Sequence, residues 1–162
     1  MWVSQLAWDR LTEHKNIRDI VNDKGLAKLG DSLVNLCYSL AKSMVLGDVT
    51  GEKVQDRVLA RSIRAVPLYT QIGHKTDIGR AADAYEAIFA WLWLKRRVSI
   101  EAAVDIIVKA LPIGPETGRK EEGQVASHAF QVLLEQTASQ LPSDPLHIDM
   151  SPQNGSHPVS NP

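Results

Sequence analysis

Cysteine is nearly absent from this chain of 162 residues: Cys37 is the only one. A lone cysteine excludes an internal disulfide and speaks for a reducing compartment. It sits in an apolar run and reads as a small core residue. Long apolar runs are also missing. No stretch of about 20 such residues occurs, so no membrane-spanning helix is expected. The N-terminal residues are interrupted by Asp9, Arg10, Glu13, His14 and Lys15, unlike a signal peptide, and the cytoplasm is the default location. Alternating apolar and polar segments between turn residues are lacking too, which argues against strands. Finally, neither sign of charge dominates. A formal net charge of −1 excludes a strongly basic nucleic-acid tail but leaves room for a local basic face.

Helical periodicity is what remains. The length suits one compact domain, and a 44% hydrophobic content can build its core. A first helix is expected over residues 2–13, with Trp2, Leu6 and Trp8 as packing residues, and a short one near Ile17–Val21. A long helix follows from about Gly25 to Leu46, where Leu26, Leu29, Leu33, Leu36, Cys37, Leu40 and Met44 form one stripe and Gly47 stops it. Thr50–Glu52 read as the start of a helix that Val54, Val58, Ile63 and Val66 carry to Pro67. Gly73 and Gly79 punctuate a polar loop. Further helices are expected over residues 80–97, from an N-cap at Ser99 through Leu111, and over residues 121–141. Five of the eight prolines fall from Pro142 onward, in a segment too polar to offset its chain entropy. The expectation is an all-α domain over residues 1–141 and a Pro-rich, flexible, disordered C-terminal tail over residues 142–162.

Asp83 and Glu86 stand out within the segment from Ala81 to Leu94, where every other residue is apolar or aromatic. A helix apolar all round is normally buried, and Asp and Glu are almost never fully buried unless paired. At i and i+3 the two carboxylates share a face and repel. A metal ion, a basic side chain or a proton should therefore meet them. The long third helix offers a companion in Asp31, which lies roughly opposite its Leu stripe, with Ala27 and Asn35 one turn away and Tyr38 near. Gly30 beside it costs about 1 kcal/mol relative to Ala in a helix interior, which suggests the close approach of another helix. If that neighbour carries Asp83 and Glu86, three carboxylates converge on a hard oxygen site suited to Mg²⁺ or Mn²⁺ rather than Zn²⁺. Ion pairs fit the same spacing: Asp31 with Lys28 or Lys24, Asp83 with Arg80, and Glu86 with a base from another helix.

At these segments the chain resembles the ribonuclease III family. Leu26-Ala27-Lys28-Leu29-Gly30-Asp31-Ser32-Leu33-Val34 is similar to the family signature Glu-Arg-Leu-Glu-Phe-Leu-Gly-Asp followed by Ala or Ser. Ala82-Asp83-Ala84-Tyr85-Glu86-Ala87-Ile88 closely resembles its second motif, Ala-Asp-x-Phe/Tyr-Glu-Ala-Leu/Ile. The likeness covers roughly residues 20–111. It implies a ribonuclease III-like all-α endonuclease, a two-fold homodimer that cuts double-stranded RNA with Mg²⁺, or Mn²⁺ in its place. By position it implies that Asp31, Asp83 and Glu86 hold the metal and are catalytic. The implied chemistry is two-metal-type phosphodiester hydrolysis, leaving 5′-phosphate and 3′-hydroxyl ends. Two departures weaken the match. Ala27 and Lys24 stand where the signature carries glutamates, so one metal-site carboxylate is missing. Gly79 stands where many members carry a lysine, with Arg80 or Lys75 as substitutes. No double-stranded-RNA-binding domain is expected, as in compact members with the nuclease domain alone. The alternative implied by Ala27 is a weak or inactive ribonuclease III-like RNA-binding or assembly module.

Double-stranded RNA is recognised mainly through phosphates and 2′-hydroxyls. Arg61, Arg64, His74, Lys75 and Arg80 are the candidate RNA contacts, with Arg57 sharing the face of Arg61. Solvated surface charge is the competing reading, and it is preferred for Lys95, Arg96 and Arg97, which suit a helix C-terminus.

Overall fold

The computed structural model describes residues 5–72 and 77–142. Among the described residues there are seven α-helices and no strand: α1 Gln5–Asp9, α2 Ile17–Val21, α3 Lys24–Leu46, α4 Asp56–Arg64, α5 Ile78–Leu94, α6 Ile100–Lys109 and α7 Arg119–Thr137. The all-α expectation is met. Trp2, the loop residues His74 and Lys75, and the tail from residue 143 lie outside the described residues.

Local chemistry explains most boundaries. The side chains of Asn16, Asp23, Asp77 and Ser99 accept hydrogen bonds from first-turn amides and start α2, α3, α5 and α6. Gly47 ends α3 in the left-handed region at φ 73°, a conformation costly for residues with a Cβ.

One expected start is wrong. The fourth helix begins at Asp56, not near Thr50, because α3 captures the intervening backbone. Asn35, Ser39 and Ser43 lie one turn apart along α3. Ser43 Oγ accepts from the Thr50 amide at 2.9 Å, Ser39 Oγ from the Glu52 amide at 2.9 Å, and Asn35 Oδ1 from the Val54 amide at 2.7 Å. Amides held this way lie extended along α3 instead of turning into a helix.

Helix α5 is the centre of the molecule. It packs most extensively on α3, then on α4 and α2, while α6 and α7 close the far side against α3 and α4. Tyr85 of α5 reaches α7, donating its hydroxyl to the Phe130 carbonyl at 2.6 Å and meeting the Phe130 ring edge-on at 5.7 Å. Cys37 is fully buried, as expected, and burial pushes its thiol up to about 12.

Three sequence expectations need correction. The Leu stripe of α3 is split: Leu26, Leu33 and Cys37 enter the core, whereas Leu29, Leu36, Leu40 and Met44 are exposed. Leu6 is 71% exposed and does no packing; Trp8 instead meets Trp93 edge-on at 6.1 Å. Of the two acids on α5, only Glu86 is buried, and Asp83 opens to solvent.

Candidate active site

Gly30 decides the geometry. A Cβ built at this position would lie 1.9 Å from the Glu86 carbonyl oxygen and 2.3 Å from its carbonyl carbon, far inside van der Waals contact. The backbones of α3 and α5 thus touch at this crossing, and Asp31 is carried beside Glu86. The close helix approach expected from a glycine next to Asp31 is present, and the neighbour is the helix of Asp83 and Glu86.

Glu86 is 5% exposed. Burial above all, then the charges of Asp31, Asp83 and Asp56, and a hydrogen bond with the Asp31 carboxyl, push its carboxyl up to about 8. Asp83 is raised as well, first by burial and then by Asp56 and Asp77, with Lys24 opposing and Asp31 adding to the rise. Asp31 is half-buried, and its Oδ1 accepts a hydrogen bond from Asn35 Nδ2 at 3.2 Å. Asn35 therefore ties Asp31 to the Val54 amide and so to the segment that delivers Asp56.

The ion pairs considered for these acids do not form. Among the described residues the salt bridges join His14 to Asp23, Lys42 to Glu52 and Glu122, and Lys109 to Asp105, and none involves Asp31, Asp83 or Glu86. A buried carboxylate without a cation needs a proton or a metal. Glu86 and Asp31 supply only oxygen donors, which fits a hard divalent ion taking the place of a proton. Among the described residues no three His, Cys, Asp or Glu side chains are gathered tightly enough to enclose a metal ion. The close coupling is between Asp31 and Glu86, with Asp83 at the solvent edge.

A cavity of about 540 Å³ opens beside Asp83, walled by Arg18, Lys24, Ala27, Gln71 and Arg80. Three basic side chains, Arg18, Lys24 and Arg80, and two acids, Asp23 and Asp83, line it. Arg80 thus joins the acids, whereas Arg61 and Arg64 lie exposed on α4, and Arg61 lines a separate recess against α7. Asp56 is the acid that the sequence reading missed. An expected helix start at Thr50 would bury it in mid-helix; its actual place as the first residue of α4 was signalled only by its position ahead of an arginine-rich run.

A buried acid coupled to a half-buried one across two crossing helices, with Arg18, Lys24 and Arg80 on the wall of the adjoining cavity, suits a protein that handles phosphodiesters. A model of the Ribonuclease III family matches residues 24–143, a span that begins with α3 and continues past α7. The chain belongs to the ribonuclease III family. That family consists of divalent-metal-dependent nucleases acting on double-stranded RNA, typically as dimers. No curated protein matches the chain significantly. Among the described residues no helix is long and apolar enough to cross a membrane.

Proposed function

We propose that this protein is a Mg²⁺-dependent endonuclease that cleaves double-stranded RNA and leaves 5′-phosphate and 3′-hydroxyl ends. One observation carries the reading: the Gly30 crossing brings Asp31 to a buried Glu86 that has no basic partner among the described residues. Asp31 and Glu86 would hold the metal, with Asp83 completing its open side toward the substrate. When bound, such an ion activates water for in-line attack and stabilises the leaving oxygen. Glu86, whose carboxyl is raised by burial and by the neighbouring acids, would give up its proton to bind the ion. Asn35 keeps the Asp31 carboxylate oriented. Arg80 and Lys24 on the cavity wall offset the phosphates flanking the scissile bond. Arg64, and His74 and Lys75 from the segment preceding α5 in sequence, would add further phosphate contacts, and Arg61 would do so from its separate recess. Incubation with double-stranded RNA and Mg²⁺, or Mn²⁺, tests the reading. We expect cleavage by the native chain and its loss, by about 100-fold or more, in Asp31→Asn. Equal cleavage by both would sink it.

A homodimer accords with the exposed ridge of α3, where Leu36 is 47% and Met44 is 64% exposed. Four large apolar side chains on one face of a helix next to the site call for a cover, and a second copy covers it with the same ridge. Leu36→Glu combined with Leu40→Glu should shift the protein to a monomer in sedimentation. An unchanged species would remove the ridge as the interface. A cytoplasmic setting suits a buried, reduced Cys37.

The second reading, a non-catalytic RNA-binding or assembly module, is favoured by one feature. Ala27 lines the cavity wall beside Lys24, so a methyl group flanked by a cation stands where a further metal-site acid would be needed. It predicts RNA binding that survives removal of divalent metal, together with no cleavage at any Mg²⁺ concentration.

A further inference from the structure

A groove between α4 and α7 concentrates positive charge away from the acids. It encloses about 440 Å³ and is lined by Arg57, Arg61, Arg119, Lys120, Gln124 and Ser127, over a floor of Val58 and Gly123. Four cations and no carboxylate line it. Among the described residues none of the four forms an ion pair. The chain as a whole is neutral to within one charge, so this imbalance is local. Like charges held together on rigid helices repel one another unless an anion joins them.

The neighbouring acids are already engaged. A smaller recess of about 170 Å³ continues the groove past Arg57 and Arg119 toward Lys53, and it contains Glu52 and Glu122. Lys42 pairs with both of these, and Tyr38 donates its hydroxyl to Glu122 at 2.9 Å. The wall offers little to a protein partner, since Val58 is its one large apolar residue and is itself buried. It offers much to phosphates. Guanidinium groups bind phosphate oxygens through paired hydrogen bonds, and Arg57 and Arg61, at i and i+4, stand about 6 Å apart at their Cβ atoms.

The position of the groove relative to the acids is equally telling. At about 100° per residue, Arg57 lies roughly a quarter-turn and Arg61 somewhat more than a third of a turn around α4 from Asp56. Asp56 faces Asp83 and Glu86 closely enough to raise both. A strand leaving the acids would cross the solvent face of α4, about 10 Å wide, and enter the groove on the other side.

We propose that the α4–α7 groove is a second RNA-binding track, which takes the phosphodiester backbone of a segment flanking the one at the acids. The proposal rests on the double-stranded-RNA reading above for its ligand, but not on catalysis. The test uses full-length protein, a fluorescein-labelled RNA duplex and EDTA, so that no metal contributes. Anisotropy is read between about 50 and about 200 mM salt. The variant is Arg119→Glu with Lys120→Glu. Both side chains are exposed, and acids in the first turn favour the helix dipole, so α7 should persist; a thermal melt verifies it. We expect the variant to bind at least about 10-fold more weakly, with a log K against log salt slope shallower by about 2. If native protein binds the duplex and the variant binds it equally, the groove is overturned while the RNA reading stands. If native protein binds no RNA in EDTA, the groove is overturned, and cleavage of the duplex with Mg²⁺ decides the RNA reading separately. If a labelled poly-glutamate peptide binds the native groove more tightly than the duplex does, and the variant loses that binding, the groove serves an acidic protein partner instead.

Discussion

Gly30→Ala should destabilise the protein by about 3 kcal/mol or more, an unusually large effect for one added methyl group. The new Cβ would fall 1.9 Å from the Glu86 carbonyl oxygen. The obstacle is backbone at the centre of the core helix, so no side-chain rotation relieves it. The helices must separate, and that separation withdraws packing from the most extensive helix pair in the molecule. Gly123→Ala provides the control. It makes the same chemical change inside α7, where an added Cβ meets nothing within 4 Å, and it should stabilise by up to about 1 kcal/mol through helix propensity. For a domain of this size 1 kcal/mol corresponds to about 2–4 °C, so the two melts should diverge by roughly 10 °C. Equal melting temperatures would disprove the α3–α5 crossing and, with it, the pairing of Asp31 with Glu86.

Glu86→Gln should have opposite effects on stability and on metal binding. Burial and the surrounding acids raise the Glu86 carboxyl from an ordinary 4.5 to about 8. The folded state therefore holds this proton more tightly than the unfolded chain does. Its contribution to stability is complete below about pH 4.5 and is lost as pH rises to about 8. Glutamine keeps the shape and never ionises. At pH 9 without metal, the variant should be more stable than the native chain by roughly 2–4 kcal/mol, and at pH 4 the two should be nearly equal. Added Mg²⁺ should raise the melting temperature of the native protein, more at pH 9 than at pH 6, because the ion displaces the proton. The variant should gain little. Melts at the two pH values, each with and without Mg²⁺, measure all of this. A native chain whose metal-free stability relative to the variant does not change between pH 4 and pH 9 would rule out the strained carboxyl.

Much of this architecture could be read along the chain. The second helix is found where Ile17–Val21 placed it, and Ser99 caps α6 as its residue type suggested. The anomaly of two acids in an apolar segment pointed directly at α5, and the cost of Gly30 in a helix pointed at its partner. These inferences worked because each rests on local rules: caps, breakers and the energetics of burying charge. The failures share a cause as well. Thr50–Glu52 carry a plausible helix start, yet side chains of Ser39 and Ser43 on a different helix take the amides that such a start would leave free. Asp56 was hidden for the same reason. Periodicity groups Leu29, Leu36, Leu40 and Met44 with Leu33, but only the placement of α5 and α6 tells which side of α3 is core.

By itself, then, the sequence determined an all-α chain of the ribonuclease III family, the identity of Asp31, Asp83 and Glu86 as its conspicuous acids, and the loss of a signature carboxylate at Ala27. The tertiary structure alone decided that Asp31 couples to Glu86 while Asp83 faces solvent, that Asp56 joins their electrostatics, and that Arg57 and Arg61 meet Arg119 and Lys120 in one groove. The reason is one of range. Capping, propensity and periodicity act over a few residues and are written in the order of the chain. The coupling of charges depends on distances between residues far apart along the chain, which are fixed only when helices pack.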